Sequence, residues 1–313
     1  MADAADERFS GAVLTSRSKA YWALAAVCFF WGTTYIAIRI GVREGLPPFL
    51  FAGVRFLLAG AAMLLYCAAR GGLSRRWPAP REWRDLALIA FLLLVIGNGT
   101  LTWSEQWVPA GLASMVIASA PFWMVFFARL EGEALRPRAL IGLGAGFLGM
   151  LVLLWPDLRR HPPGTDFSFG VFMLCLATGA WAYGSVYVKR HQPRADPVLT
   201  IALQQLVGGV CLGVFGLLRG EAARWAPDAV GWGAIVYLAV FGTMVGYTAY
   251  IYALERLPTD LVSVYAYANP VVAVALGVLM LGERLDVFML LGVPLVLAGI
   301  YLVKAADAGA EKS

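Results

Sequence analysis

Residues 117–136, IASAPFWMVFFARLEGEALR, and residues 266–285, AYANPVVAVALGVLMLGERL, follow one plan. Each is an apolar run with a proline near its start and a Gly-Glu pair at its end. Pro121 answers Pro270, and Gly132-Glu133 answers Gly282-Glu283, about 150 residues later. At that offset Trp31 meets Trp181, Arg39 meets Lys189, Pro47 meets Pro197 and Arg55 meets Gln205. Glu105 then meets Glu255, Gly142 meets Gly292 and Gly149 meets Gly299; a one-residue slip aligns Pro109, Leu112 and Ser114 with Pro258, Leu261 and Ser263. Shared Leu or Val would carry little weight in an apolar chain. Matched Trp, Pro and Gly-Glu in one order indicate an internal repeat.

The medium in which the repeat sits follows from composition. The 313 residues are 60% hydrophobic and 14% charged, against roughly 25% charged for a soluble domain. Apolar stretches bounded by charges, Gly and Pro predict spans near 20–38, 48–69, 86–104, 109–128, 138–155, 168–188, 198–218, 230–252, 259–280 and 287–304. Runs of about 20 apolar residues cross a hydrocarbon core about 30 Å thick. The expected fold is an all-α polytopic membrane protein of ten transmembrane helices. Five helices per repeat is an odd number, so the second copy enters the membrane from the opposite side. That makes two inverted five-helix repeats, an architecture carriers use for alternating access. The expected divisions are a tail at 1–19, repeats at 20–160 and 161–304, and a tail at 305–313.

Seventeen of the 25 Lys and Arg residues fall in the tails and in loops on one side, seven on the other, and Arg55 lies inside a span. Positive loops stay in the cytoplasm, so both termini are expected there. The polar first 19 residues begin with Asp3, Asp6 and Glu7 and do not read as a signal peptide. Basic residues scattered through loops argue against a nucleic-acid partner despite the net charge of +5. Cys28, Cys67, Cys175 and Cys211 fall within apolar spans without ligand spacing, so no metal site, disulfide framework or cofactor is expected.

The segments WGTTYIAIRIGV at 31–42 and AGVRFLLAG at 52–60, with the two proline-then-Gly-Glu runs, resemble the drug/metabolite transporter superfamily, and within it the EamA family. The resemblance covers residues 20–304. It implies a basket of ten helices around a central cavity, with the fifth and tenth at the periphery. It further implies a bacterial inner-membrane exporter of amino acids, notably aromatic ones, or of other metabolites or drugs.

Within the spans, Arg55 is the one charge far from a helix end. A charge at the bilayer centre is costly, so it either pairs with a substrate carboxylate through its planar fork or snorkels and bonds backbone carbonyls. Trp31 and Tyr35 share a face of the first helix. Trp103 lies on the third, Trp181 and Tyr183 on the sixth, Tyr250 on the eighth and Tyr267 on the ninth. Such rings suit apolar side chains and an ammonium group, or serve as interface anchors. Asn98, between two glycines, and Asn269, ahead of Pro270, carry amides that need partners in hydrocarbon. Either they contact cargo or they bond backbone freed at a loosened turn. Pro121 and Pro270 are expected to act as matched hinges. The glycine runs at 142–149 and 208–213 are read as packing within one bundle, so a monomer is expected.

The only two histidines, His161 and His191, fall in loops on opposite sides, and no nucleotide-binding loop is present, so neither an enzyme nor an ATP-driven pump is expected. No Asp or Glu sits mid-span, which favours facilitated diffusion or gradient-driven exchange. A proton-coupled exporter of drugs or nucleosides is the alternative.

Overall fold

The computed structural model describes residues 2–71, 77–104, 106–108, 113, 116–133, 136–153, 155–156, 165–191, 195–281 and 287–310. Among these the chain is helical and contains no strand. In order, the helices are α1 (Ala2–Arg43), α2 (Pro48–Ala69), α3 (Pro80–Ser104), α4 (Ala120–Leu130) and α5 (Pro137–Leu153). They continue with α6 (Thr165–Arg190), α7 (Pro197–Leu218), α8 (Ala229–Arg256), α9 (Tyr265–Leu281) and α10 (Val287–Ala310). A single helical turn, Thr259–Ser263, precedes α9. By length and composition α2, α3, α6, α7, α8 and α10 can each cross a membrane, whereas α4 and α5 are shorter apolar helices. The Gly282-Glu283 pair and Glu105 lie outside the described residues.

Several boundaries differ from expectation, and two of the differences have a clear cause in the sequence. The helix expected to begin at 20 begins at Ala2, because residues 2–19 hold no proline and are rich in residues that propagate a helix. The span expected at 109–128 is interrupted: Ala113, Val116 and Ile117 are helical, Ala118 and Ser119 form a turn, and α4 begins at Ala120. Pro121 explains the break. Its ring leaves no N–H to bond the carbonyl of Ile117 four residues back, so the ladder is broken in the turn ahead of it.

Short side chains fix the helix starts. Asp196 Oδ1 accepts from the amides of Val198 and Leu199 at 2.9 and 3.1 Å, with Pro197 opening α7. Asp228 Oδ1 does the same for Gly231 at 2.7 Å at the head of α8. At α2 the acceptor comes from far along the chain. Buried Glu221 takes the amides of Phe49 and Leu50 at 3.3 and 2.7 Å. Those first-turn N–H groups have no partner inside their own helix.

Two antiparallel seams join the repeats. Along α2 and α7, Gly53 lies against Gly213 and Gly209, and Gly60 against Ala202 and Leu206. Along α5 and α10, Gly142 and Gly146 meet Gly299, and Gly149 meets Val296 and Gly292. A Cβ on Gly299 would stand 2.5 Å from the Gly146 nitrogen, so only glycine permits this approach. Without a hydrophobic force between helices in lipid, such backbone contact is the main source of association.

Candidate functional site

Both α3 and α8 abandon α-helical hydrogen bonding midway, at the π-helical stretches Phe91–Gly99 and Leu238–Tyr247. These occupy matching places in the two repeats. π-turns are rare and gather at functional sites. Here each one faces a shared cavity of about 110 Å³.

The cavity is walled by both repeats. From the first come Trp31, Thr34 and Ile38 of α1, Arg55 and Phe56 of α2, and Leu94, Gly97, Asn98 and Leu101 of α3. Ala177, Thr178 and Trp181 of α6, Gly242, Thr243 and Tyr247 of α8, and Tyr265 and Asn269 of α9 come from the second. Ile117 and Ala120 close the wall at the start of α4.

At one end of the cavity four rings interlock. Trp31 lies edge-on to Trp181 at 5.5 Å and to Tyr265 at 5.1 Å, and 5.0 Å from Tyr250. Tyr250 is fully buried beneath this layer, its hydroxyl 2.6 Å from Ser185 Oγ. The indoles reach this position because the π-stretches offer no Cβ. A Cβ on Gly246 would come within 2.4 Å of Trp31 Nε1, and one on Gly97 within 3.1 Å of Trp181 Cε3. Trp31 Nε1 donates to Gly242 O at 2.9 Å, a carbonyl inside the π-stretch of α8.

On the wall, Arg55 is 6% exposed. Its Nη2 donates to Asn98 Oδ1 at 2.6 Å, and its guanidinium carbon stands 4.4 Å from the centre of the Phe56 ring. Asn98 sits in the π-stretch of α3, so that irregular backbone presents the amide that orients the guanidinium. After it, the hydroxyls of Thr100, Thr102 and Ser104 each donate to the carbonyl four residues back. Across the cavity, the Asn269 amide nitrogen, turned toward the two carbonyls beside it, donates to Tyr265 O and Cys28 O at 3.1 Å each. Asn269 thus bonds backbone next to Pro270 and ties α9 to α1.

Of the ten residues singled out from sequence, Trp31, Arg55, Asn98, Trp181 and Asn269 come together on this wall. Tyr250 backs the ring layer without lining the cavity. Three others stand elsewhere, and their positions correct the expectation. Tyr267 is fully buried but points away, its hydroxyl donating to Leu143 O at 3.1 Å and its ring filling the space over Gly146. It fastens α9 to α5. Tyr183 is 36% exposed on the outer face of α6, against Phe127. Trp103 belongs to a cluster with Trp107, Phe49 and Phe169, under the Arg219 guanidinium. The side chain of Tyr35 lies outside the described part. Pro121 sits in the first turn of α4, whereas Pro270 is inside α9. Thr178 and Thr243 were not anticipated. Their signal was position alone, one turn from Trp181 and from Tyr247.

Among the described residues no group of His, Cys, Asp and Glu could hold a metal ion. The model of the EamA-like transporter family matches residues 18–155 and again 168–305. The chain belongs to the EamA-like transporter family. The residues between the two matches are 156–167. The chain is 36% identical over 285 residues to the uncharacterized inner membrane transporter YedA of Escherichia coli strain K12, covering 90% of each protein. It is 28% identical over 300 residues to the uncharacterized transporter sll0355 of Synechocystis, covering 91% of this chain and 89% of that one. A crystal structure with a TM-score of 0.78 and 21% identity covers 94% of this chain and 99% of its own, which shows a shared fold. This EamA-like protein is therefore a multi-pass membrane transporter.

Proposed function

We propose that the protein is an alternating-access carrier of the bacterial inner membrane that exports small organic metabolites, chiefly amino acids including aromatic ones. One observation carries this reading: a buried guanidinium oriented by Asn98 shares a cavity with a layer of aromatic rings. Arg55 offers a planar fork to a carboxylate. The ring faces of Trp31, Trp181 and Tyr265 take an apolar side chain or an ammonium group. A cavity of about 110 Å³, room for about four waters at about 30 Å³ each, is too small for a nucleotide sugar.

The topology proposed is ten spanning helices in two inverted repeats, with both termini in the cytoplasm. The antiparallel seams between α2 and α7 and between α5 and α10 support it, since each joins equivalent helices. The carrier works as a monomer, without cofactor, by facilitated diffusion or exchange down a gradient. In support, the cavity wall has no Asp or Glu among the described residues.

The test is efflux of a labelled amino acid from liposomes containing purified protein, challenged with unlabelled competitors. Competition by phenylalanine or tryptophan is the expected result. If no amino acid moves or competes, the cargo assignment is wrong, and nucleosides and cationic drugs form the next panel.

A further inference from the structure

One end of the bundle carries the α4–α5, α6–α7 and α8–α9 connections and most of the Lys and Arg. There a set of polar contacts joins the first repeat to the second. Lys189 Nζ, at the end of α6, lies 2.9 Å from Glu133 Oε1 and 3.1 Å from Thr259 Oγ1, and the Thr259 hydroxyl donates to Glu133 Oε1 at 3.0 Å. The three groups close a ring across the repeat boundary. Arg136 pairs with Asp260, and Arg190 pairs with Glu131 through both its carboxylate and its backbone carbonyl. Tyr187 donates to Asp85 Oδ1 at 2.8 Å.

The ring layer of Trp31, Trp181, Tyr250 and Tyr265 lies between this end and the cavity. On α1, α3 and α2 the lining residues run from there toward the opposite end, reaching Ile38, Leu101 and Arg55. Passage toward the basic end therefore meets two barriers in series, one aromatic and one ionic.

We propose that Glu133, Lys189 and Thr259, with the Arg136–Asp260 and Arg190–Glu131 pairs, form a latch that closes this carrier at its basic end. The inference rests on the alternating-access reading above. It adds the device that separates two states. A latch must hold and also release. Ion pairs that keep some access to solvent, their side chains 11% to 43% exposed, suit this, because pairs open to water contribute about 0–1 kcal/mol each, up to a factor of about five in an equilibrium constant. Opening requires the α4–α5 connection to part from the ends of α6 and α8. Lys189 and Thr259 stay together on the second repeat while Glu133 leaves with the first.

The test needs no cargo. Thr178 lines the cavity, so in a protein whose four native cysteines are replaced, Thr178→Cys reports access from either side to a membrane-impermeant thiol reagent. With the latch intact, labelling is expected from the side opposite the basic end. Glu133→Gln with Asp260→Asn, which removes two of the pairs, is expected to raise labelling from the basic side several-fold, up to about 25-fold. The exchange Glu133→Lys with Lys189→Glu is expected to return it toward the starting rate. Unchanged basic-side labelling in the neutralised protein, with the exchanged protein behaving identically, overturns the latch. A second pair, Glu133→Cys and Thr259→Cys, tests it without removing charge from Lys189. Oxidation should stop basic-side labelling of Thr178→Cys and reduction should restore it; labelling that persists with the bond formed also overturns the proposal. If labelling responds as expected while no amino acid moves in liposomes, the latch stands and the cargo assignment falls.

Discussion

Trp31 and Trp181 hold matching places in the two repeats, each resting on a glycine of a π-stretch in the other repeat. Their hydrogen bonding differs. Trp31 gives its indole N–H to Gly242 O. The Trp181 nitrogen is buried with no acceptor in hydrogen-bonding geometry, although the Tyr250 hydroxyl lies near it. The same split separates Arg55 from its counterpart Gln205. Arg55 faces the cavity, whereas Gln205 is fully buried and lines none of it. A duplicated scaffold thus frames a site with a charged wall on one side and a ring layer on the other.

The sharpest way to break this comparison is Arg55→Ala. Hydrogen bonds to charged groups are worth about 1.5–3 kcal/mol, so efflux of an amino acid should fall roughly 10- to 100-fold, with Arg55→Lys between the two. Gln205→Ala should leave competitor selectivity as it is. Equal losses at both positions would mean that the charge is not the distinguishing feature.

The tryptophans come next. Trp31→Phe removes a bond to a π-stretch carbonyl, at a cost of about 1 kcal/mol. Its thermal midpoint in detergent should drop by about 1–2 °C more than that of Trp181→Phe. Matching drops would show that the indole N–H groups are equivalent after all.

The two prolines should differ less. Pro270→Ala returns a donor to the interior of α9 and is expected to slow transport several-fold, while Pro121→Ala, in a first turn where proline is tolerated, should change the rate less than about twofold. Efflux rates of the two proteins side by side decide it. The smallest effect is expected at Tyr183→Phe, whose exposed ring touches only its own neighbourhood; transport and affinity should match the parent protein.

Much of this was legible before any coordinates. Matched Trp, Pro and Gly-Glu gave the repeat, because such residues are costly to misplace in a membrane helix. Arg55 and Asn98 stood out because polar atoms in hydrocarbon must face something. The aromatic residues were harder. Tyr183, Tyr250 and Tyr267 have similar sequence surroundings, yet one faces outward, one supports the ring layer and one pins α5. Their directions depend on how α6, α8 and α9 rotate about their axes, which tertiary packing decides. The π-stretches add to that rotation and have no signature beyond glycines that also occur elsewhere. Pro121 and Pro270 show the same limit. One motif starts a helix and continues another, depending on what lies ahead of it.

The glycine seams constrain how such a machine can leak. At α2–α7 and α5–α10 the backbones of the two repeats touch at mid-depth, Gly53 against Gly213 and Gly146 against Gly299. Two beams pressed together at their middles can tilt but cannot part. If the repeats rock about those contacts, every ångström gained at one mouth is given up at the other. A continuous pore then has no geometry available to it, and the barrier to free diffusion is set by where the fulcrum lies.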